Sequence, residues 1–420
     1  MSELLPNEEY NGKRFIWSNG LQNIGDQIIA AKTVLPWMLQ AAGAPGFIIA
    51  MLVPVRESGS MLPQAALTPW VTAHKYRKGI WLMGAVGQGI AAILMGIASL
   101  FLTGTALGIV VLLLLAIFAT FRSLCSIASK DVQGRTIHKG GRGRITGRAT
   151  ELGGFISLAV GLAMTFIPAL QNPNVLKLLI IIAGFSWFLA ALVFKSIKEP
   201  EDPDADGGGL NKAWWKDTWE LFRDHRNFRN FVIVRALMLV SALSTAFIVT
   251  LSQETGQDIS GLGTFLVAGG LSSLLGGRIS GIWSDASSKR TMSVGAAVAT
   301  AVILLTILAT STLGGEALRW ILPTSFFLLN LAHTAIRVAR KTYIVDMAES
   351  DQRTRYVGAA NTMMGIILLL VGTVSGVIAM WGSVPALLFL AAVGLVGVFA
   401  AARLPEVSKS KDYAEADEDN

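Results

Sequence analysis

The sequence contains about twelve blocks of mostly apolar residues, each roughly twenty residues long. A helix of this length crosses the hydrocarbon core of a bilayer, which is about 30 Å thick. Inside lipid the backbone must satisfy its own hydrogen bonds, so these blocks are expected to be helices. The predicted spans are residues 15–38, 45–70, 79–102, 106–128, 150–170, 175–197, 231–252, 261–283, 291–312, 318–341, 356–380 and 384–403. We therefore predict an all-α polytopic membrane protein with twelve transmembrane helices.

The charged residues are too few for a soluble protein of this length. Asp, Glu, Lys and Arg make up 15% of the chain, against about 25% in soluble domains. The single cysteine, Cys125, excludes an intramolecular disulfide and is expected to pack among apolar neighbours. No metal-ligand or cofactor spacing is visible. We predict no cofactor, no metal and no nucleic-acid partner.

Lysine and arginine are concentrated in the loops on one side of the predicted spans. That side carries Lys75, Arg77, Lys78, Lys130, Arg135, Lys139, Arg142, Arg144, Arg148, Lys289, Arg290, Arg340, Lys341, Arg353 and Arg355. The opposite loops contain only Lys177 and Arg319. Such a bias marks the cytoplasmic side, and it explains the net charge of +7. We expect a plasma membrane protein (the inner membrane in a bacterium) with both termini cytoplasmic.

The chain divides into two groups of six spans with polar segments around them. The polar residues 1–14 lack a signal-peptide core and are predicted to be a cytoplasmic N-terminal segment. The six-span bundles are predicted at residues 15–198 and 230–404, and the polar linker between them at 199–229. Residues 405–420 are predicted to be a disordered acidic tail.

The linker begins with an acidic segment rich in proline and glycine, 199–209, which we expect to have nothing to pack against. After it, at helical spacing, come Trp214, Trp215, Trp219, Leu221 and Phe222. Two interpretations stay open for this second part. It is either an amphipathic helix in the membrane interface, with its tryptophans at headgroup level, or a linker helix packed on the cytoplasmic face.

The two halves of the chain repeat one pattern. In the first half, Arg122 precedes Asp131 by nine residues, and in the second half Arg337 precedes Asp346 by the same number. A charged loop and a glycine-rich segment follow in both halves. A duplication of six spans with a long central loop is the construction of several secondary carriers.

The loop after the eighth predicted span carries the most specific motif. Residues 281–290 read Gly-Ile-Trp-Ser-Asp-Ala-Ser-Ser-Lys-Arg, which resembles the loop motif of the major facilitator superfamily. The resemblance implies two pseudo-symmetric six-helix bundles. It also implies a gating role for Gly281, Asp285, Lys289 and Arg290, in which the aspartate makes a charge-relay contact with a neighbouring helix end. The first-half counterpart has Ala73 where the aspartate would align, which puts gating by that copy in doubt.

Polar residues inside the spans are candidates for substrate and coupling-ion binding, because ionisable groups are costly in a membrane and usually functional. In the first span, Asn19, Asn23 and Asp26 share one helical face. Lys32 lies almost two turns further on, where snorkelling to the interface is the competing interpretation.

The second span carries the densest polar group: Arg56, Glu57, Ser60 and Gln64. Adjacent residues on a helix point about 100° apart, so we expect that Arg56 and Glu57 do not both point into one cavity. We predict that Arg56 faces the pathway and pairs with Asp26. Glu57 is then a coupling proton site or a structural partner. A purely structural ion pair is the alternative to a functional one.

The tenth span carries a second polar stripe, formed by Asn330, His333, Thr334 and Arg337. His333 can titrate near physiological pH, although hydrogen-bonded structure is the more ordinary role for a lone histidine. Arg122 and Arg337 occupy equivalent repeat positions and are suited to clamp one anion between the halves. Binding to cytoplasmic loops or to lipid headgroups is the alternative.

These features predict a secondary active transporter of a small organic solute, working by alternating access. We expect proton coupling and a slight preference for an anionic or zwitterionic substrate. The alternative is a carrier-like sensor or assembly factor without transport. No nucleophile elbow, metal-ligand helix or phosphate-binding loop is visible, so we predict neither an enzyme nor a nucleotide-driven pump. We expect a monomer whose other partners are membrane lipids.

Overall fold

The computed structural model describes residues 7–137, 142–167, 170, 172–202, 213–256, 260–347 and 353–407. The predicted acidic tail beyond Val407 and most of the proline- and glycine-rich linker segment lie outside this described part. The described part contains sixteen α-helices.

The first half holds α1 (Glu8–Ile28), α2 (Val34–Ala41), α3 (Gly46–Met61), α4 (Gln64–Thr72), α5 (Lys78–Phe101), α6 (Gly104–Thr136), α7 (Arg142–Phe166) and α8 (Pro173–Lys195). The second half holds α9 (Trp214–Asp224), α10 (Arg226–Leu237), α11 (Val240–Glu254), α12 (Ser260–Ala286), α13 (Ser288–Thr312), α14 (Gly315–Met347), α15 (Arg353–Ile378) and α16 (Ser383–Ala402). A short 3-10 helix, Ala379–Trp381, links the last two.

The helices follow the predicted spans. Three spans are each split into two helices: α1 with α2, α3 with α4, and α10 with α11. Within the described residues, eight helical segments are long and apolar enough to cross a membrane, and two shorter apolar helices, Glu151–Phe166 and Gly261–Gly276, accompany them. The all-helical membrane fold is confirmed, whereas twelve complete crossings stay a prediction.

Prolines account for two of the helix breaks. A proline lacks the N–H that would bond to the carbonyl four residues earlier, and its ring clashes with that carbonyl. Pro36 therefore disfavours helix at Lys32, and the chain leaves the helix at residues 29–33. Pro63 acts in the same way on the junction between α3 and α4.

The first helix begins earlier than predicted. It starts at Glu8, so the polar residues that we assigned to a separate segment extend the first span. Glu8 and Glu9 in its first turn favour this start, because carboxylates stabilise the N-terminal end of a helix. Asn11 also holds the segment through two hydrogen bonds to the backbone of Lys198, at 2.9 and 3.2 Å.

The two halves meet along two pairs of helices. α7 packs against α12, and α3 packs against α15. Glycines permit the close approach in both places: a Cβ at Gly270 would lie 2.6 Å from Leu158 N, and one at Gly372 would overlap the ring of Pro54. On the side opposite the basic loops, α2 and α3 also contact α11.

A large apolar cluster closes this opposite side. It includes Trp37 of α2, Ile49 of α3, and Phe247 and Leu251 of α11, all buried. The side chain of Gln253 donates a hydrogen bond to Trp37 O at 3.2 Å across the same contact. The halves are thus sealed together at one end of the molecule.

The linker is better anchored than predicted. We expected residues 199–209 to have nothing to pack against, but Glu199, Glu201 and Asp202 all bind basic residues of the first half. The second part forms α9, which packs on α10 and α15. Leu221 is buried there, while the rings of Trp215 and Trp219 are exposed. Its position in the membrane interface stays a prediction.

Candidate functional site

Two adjoining cavities lie between the halves. The central cavity, about 320 Å³, is lined by the charged and titratable residues Asp26, Lys32, Arg56, Glu57, Arg122, His333 and Arg337, among others. The vestibule, about 640 Å³, shares Arg122 and Arg337 with it and continues along Lys130 and Gln133 toward the basic loops. The pathway is therefore continuous from the middle of the molecule to the side that carries the positive charge.

Asp26 is the centre of the charged network. Arg56 Nη2 lies 2.7 Å from its Oδ1, and Arg122 Nη1 lies 2.7 Å from both of its carboxylate oxygens. The side chains of Asp26 and Arg56 are 11% and 16% exposed, so this contact is largely shielded from water. The Asp26–Arg56 contact expected from the sequence is present, and Arg122 joins it.

Aromatic packing positions this network. The guanidinium of Arg56 lies over the ring of Phe118, 5.7 Å from its centroid. Phe118 in turn contacts Trp187 edge to face at 5.2 Å. Trp187 fits against α1 only because Gly25, the neighbour of Asp26, has no side chain. The position of Asp26 is thus set by three helices, α1, α6 and α8.

Arg56 and Glu57 both line the central cavity, contrary to the expectation that only one of them would point into it. The cavity follows α3 around more than one face, so a separation of about 100° does not exclude either residue. Glu57 forms no ion pair within 4 Å in the described part of the chain, whereas Arg56 is held by Asp26.

The stripe on α14 also lines the central cavity. Asn330 and Thr334 hydrogen-bond within their own helix, to Phe326 O and Asn330 O respectively, at 2.9 Å. His333 Nδ1 lies 3.1 Å from Ser241 Oγ of α11, a contact that fixes its ring. Arg337 is exposed to both cavities and, among the described residues, has no ion-pair partner.

Four further predicted residues divide between the pathway and the helix packing. Asn19 and Asn23 line the vestibule, and Asn23 also reaches the central cavity. Ser60 and Gln64 hydrogen-bond to the backbone of their own turns, and their place in the pathway stays a prediction. Gln64 Oε1 also accepts a hydrogen bond from Asn361 of α15 at 3.3 Å. Gln64, which follows the break after α3, therefore lies at the contact between the halves.

The sequence interpretation undervalued three pathway residues. Lys32 lines the central cavity, Gln27 lines both cavities, and Gln133 lines the vestibule. Gln27 Oε1 accepts a hydrogen bond from Ser157 of α7 at 3.0 Å. For Lys32, the sequence feature that could have indicated this position is Pro36, because a proline four residues later predicts a helix break at Lys32.

In the gating motif, the surroundings of Gly281 and the side chain of Asp285 lie outside the described part, so the role of both residues stays a prediction. Ser287 of the same loop accepts a hydrogen bond from Arg290 N at 3.3 Å and donates one to Glu406 Oε2 at 2.6 Å. Lys289 is half-buried. This loop is therefore tied to the segment that follows α16.

The first-half loop is tied in a similar way. Arg77 is buried and forms ion pairs with Asp131 at 2.9 Å and Asp202 at 2.5 Å. Glu199 accepts hydrogen bonds from Arg77 N and Lys78 N at 3.0 and 2.9 Å. Linker carboxylates thus surround the basic pair of the loop in which Ala73 replaces the aspartate.

Replacing Glu199 with alanine should destabilise the protein by about 1–3 kcal/mol, because two backbone N–H groups lose their acceptor away from water. The matched control is Glu201→Ala. Glu201 is exposed, and its hydrogen bond from Lys75 lowers the pKa of the carboxyl group. Any stabilisation from that pair exists above the unfolded-state pKa and disappears as the pH falls through the lower folded-state pKa.

Thermal unfolding in detergent at neutral and at acidic pH measures both effects. At neutral pH we expect a lower unfolding temperature for Glu199→Ala. The unfolding temperature of Glu201→Ala should be almost unchanged, since exposed ion pairs contribute little to stability. An equal fall in unfolding temperature in the two variants would contradict a larger structural role for Glu199 than for Glu201.

Comparison with known proteins agrees with this architecture. The family model described as Major Facilitator Superfamily matches residues 230–419. Comparison with curated proteins gives no match.

Solved structures match over nearly the whole chain. A crystal structure of a D-xylose-proton symporter has a TM-score of 0.74 at 11% identity, covering 95% of this chain and 98% of its own. A mutant of the nucleoside transporter NupG has a TM-score of 0.68 at 14% identity, covering 94% and 99%. A POT family transporter in complex with 5-aminolevulinic acid has a TM-score of 0.72 at 9% identity, covering 93% and 95%. The second half of the chain, residues 230–419, thus matches the Major Facilitator Superfamily, and the whole chain has the fold of these solved transporters.

Proposed function

We propose that the protein is a proton-coupled secondary transporter that moves a small anionic or zwitterionic organic solute by alternating access. The observation that carries this proposal is the charge of the central cavity. Its lining holds four cationic side chains and two carboxylates, a formal surplus of two positive charges. A surplus of this sign at the centre of a transport pathway favours an anionic group in the substrate.

Alternating access is supported by the asymmetry between the two ends of the pathway. The vestibule continues toward the basic loops, whereas an apolar cluster seals the opposite end. With the basic side assigned to the cytoplasm, this is an inward-facing state with both termini cytoplasmic. Transport then requires the α2 and α3 contacts with α11 to open while the halves close around the vestibule.

Asp26 is suited to couple proton movement to this cycle. As a carboxylate it neutralises one of the two guanidinium groups that contact it, those of Arg56 and Arg122. Protonation removes that charge and weakens both contacts, which releases the arginines to interact with an anionic substrate. Glu57, in the same cavity and without an ion pair among the described residues, is the second candidate carboxylate.

Arg337 is the substrate ligand that the second half supplies. The sequence suggested Arg122 and Arg337 as an anion clamp, but Arg122 donates to both oxygens of Asp26. Arg337 is the arginine of this pair that remains available in the inward-facing state. A clamp by both arginines requires that Asp26 first release Arg122.

Transport assays in proteoliposomes test the proposal. An inside-alkaline pH gradient is imposed, and uptake is screened with carboxylates, phosphate esters, amino acids, peptides, nucleosides and sugars. A pH-sensitive dye inside the vesicles reports protons that enter with the solute. We expect accumulation of an anionic or zwitterionic solute with acidification of the interior. Accumulation that is unaffected by collapse of the pH gradient would contradict proton coupling.

Arg337→Gln is expected to weaken binding of the transported solute by roughly tenfold to a hundredfold, because a hydrogen bond to a charged group contributes about 1.5–3 kcal/mol. Arg319→Gln is the matched control, since Arg319 lies on the same helix, α14, and is exposed at its opposite end. Equilibrium binding to the purified protein measures both. An equal affinity for the solute in the two variants would show that Arg337 does not bind the solute.

A further inference from the structure

We infer that the break in the first span, residues 29–33, forms an oxyanion subsite of the central cavity. In this subsite, Lys32 and the N-terminal end of α2 bind the carboxylate or phosphate group of the solute. The inference rests on the proposed function, which it extends from a general anion preference to a particular part of the chain.

The break is exposed to the pathway over most of its length. Ala30, Ala31, Lys32 and Thr33 all line the central cavity, beside Asp26 and Glu57. Irregular backbone at membrane depth persists only where protein or water satisfies its polar groups. A break beside a polar cavity therefore presents backbone groups that a bound solute can reach.

The N-terminal end of α2 has donors without acceptors. In the connection, Thr33 N and Leu35 N both donate to Ala30 O, at 3.3 and 3.1 Å. Among the described residues, no backbone acceptor engages the N–H groups of Lys32 or Val34. Free N–H groups and the helix dipole together make such an end attractive to anions.

Thr33 supplies an independent observation. It is the N-cap residue of α2, yet its side chain makes no capping hydrogen bond. It is 4% exposed, lines the cavity, and its Oγ1 has no hydrogen-bond partner in the described part of the structure. Buried hydroxyl groups are normally paired, so this hydroxyl is available to a group that enters the cavity.

The charges around the break favour an anion as the group that binds there. Lys32 forms no ion pair within 4 Å among the described residues, and its charged neighbours are one carboxylate, Glu57, and the guanidinium groups of Arg337, Arg56 and Arg340. Unpaired charges in a membrane protein interior are expensive. An oxyanion between Lys32 of the first half and Arg337 of the second would neutralise this excess and join the halves.

Anion-dependent stability of the full-length protein in detergent tests the subsite without a gradient. The probes are sodium succinate and inorganic phosphate, each compared with sodium chloride at equal ionic strength. A ligand that binds the folded state raises the unfolding temperature by mass action. For the unmodified protein we expect a rise of roughly 2 °C or more with at least one probe. A response to succinate alone identifies a carboxylate subsite, and a response to phosphate alone a phosphate subsite.

The variants are Lys32→Met, which keeps the length of the side chain without its charge, and Lys32→Arg, which keeps the charge. Lys195→Met, at the exposed end of α8, is the matched control. We expect the rise to vanish in Lys32→Met and to persist in Lys32→Arg and Lys195→Met. Gel filtration confirms that each variant is folded. No rise in the unmodified protein, or an equal rise in Lys32→Met, overturns the inference.

Uptake assays separate this inference from the proposed function. If anion binding depends on Lys32 but no solute is accumulated with protons, the subsite stands and the transporter proposal fails. If Lys32→Met accumulates solute with an unchanged KM, the transporter proposal stands and the subsite fails.

Discussion

Asp26→Asn is expected to reduce pH-gradient-driven uptake to the level seen without a gradient. Asparagine keeps the size of the side chain but can neither bind nor release a proton, and it leaves Arg56 and Arg122 without the carboxylate that both contact at 2.7 Å. Removing one partner from a buried ion pair costs about 3–5 kcal/mol, so a lower unfolding temperature is expected as well. Proteoliposome uptake and thermal unfolding measure the two effects.

Two further variants make this result specific. Asp26→Glu keeps a titratable group and should retain part of the uptake. Glu57→Gln tests the other carboxylate of the cavity. Uptake in this variant shows whether Glu57 also takes part in proton coupling. Accumulation at the unmodified level in Asp26→Asn would falsify the assignment of Asp26 as a coupling site.

Gly372→Leu is expected to abolish transport and to destabilise the protein by about 3 kcal/mol or more, since overpacking at a close contact forces helices apart. Even a Cβ at this position would overlap Pro54 of α3, which belongs to the other half. The halves would then lose the close α3–α15 contact that the proposed transport cycle requires.

Gly358→Leu is the matched control, because Gly358 lies on the same helix and a Cβ there would meet no atom within 4 Å. We expect almost unchanged stability in detergent and almost unchanged uptake for Gly358→Leu, because its side chain meets no neighbour. Both variants gain helix propensity by losing a glycine, so this gain does not distinguish them. Comparable stability and transport in the two variants would show that the α3–α15 contact tolerates a side chain.

The sequence predicted those parts of the site that depend on local periodicity. Asp26 and Arg56 were paired because each belongs to a polar stripe on an apolar helix, and neighbouring spans place such stripes face to face. The contact of Arg122 with Asp26 spans 96 residues, and a stripe on one helix does not specify which third helix approaches it. Helix packing, through Gly25 and Trp187, decides that.

The differences between the prediction and the structure also have physical causes. Gln64 was placed on the face of Arg56 by extending one helix through Pro63, although the helix that carries Arg56 ends before that proline. Residues 199–202 were assigned to an unpacked linker because their composition is that of a flexible segment. Their partners, among them Arg77 and Arg135, lie in distant parts of the chain, and local composition does not report such long-range charge pairing.

The anchoring of the linker also locates the seam between the two halves of the polypeptide. Residues 199–202 are fastened to the first half by ion pairs, and α9, which begins at Trp214, is fastened to the second half by packing. Only residues 203–212 and Ala213 join these two attachments. A gene divided within this interval would give two polypeptides that each keep their own anchoring contacts, and a reporter domain inserted there would interrupt none of them.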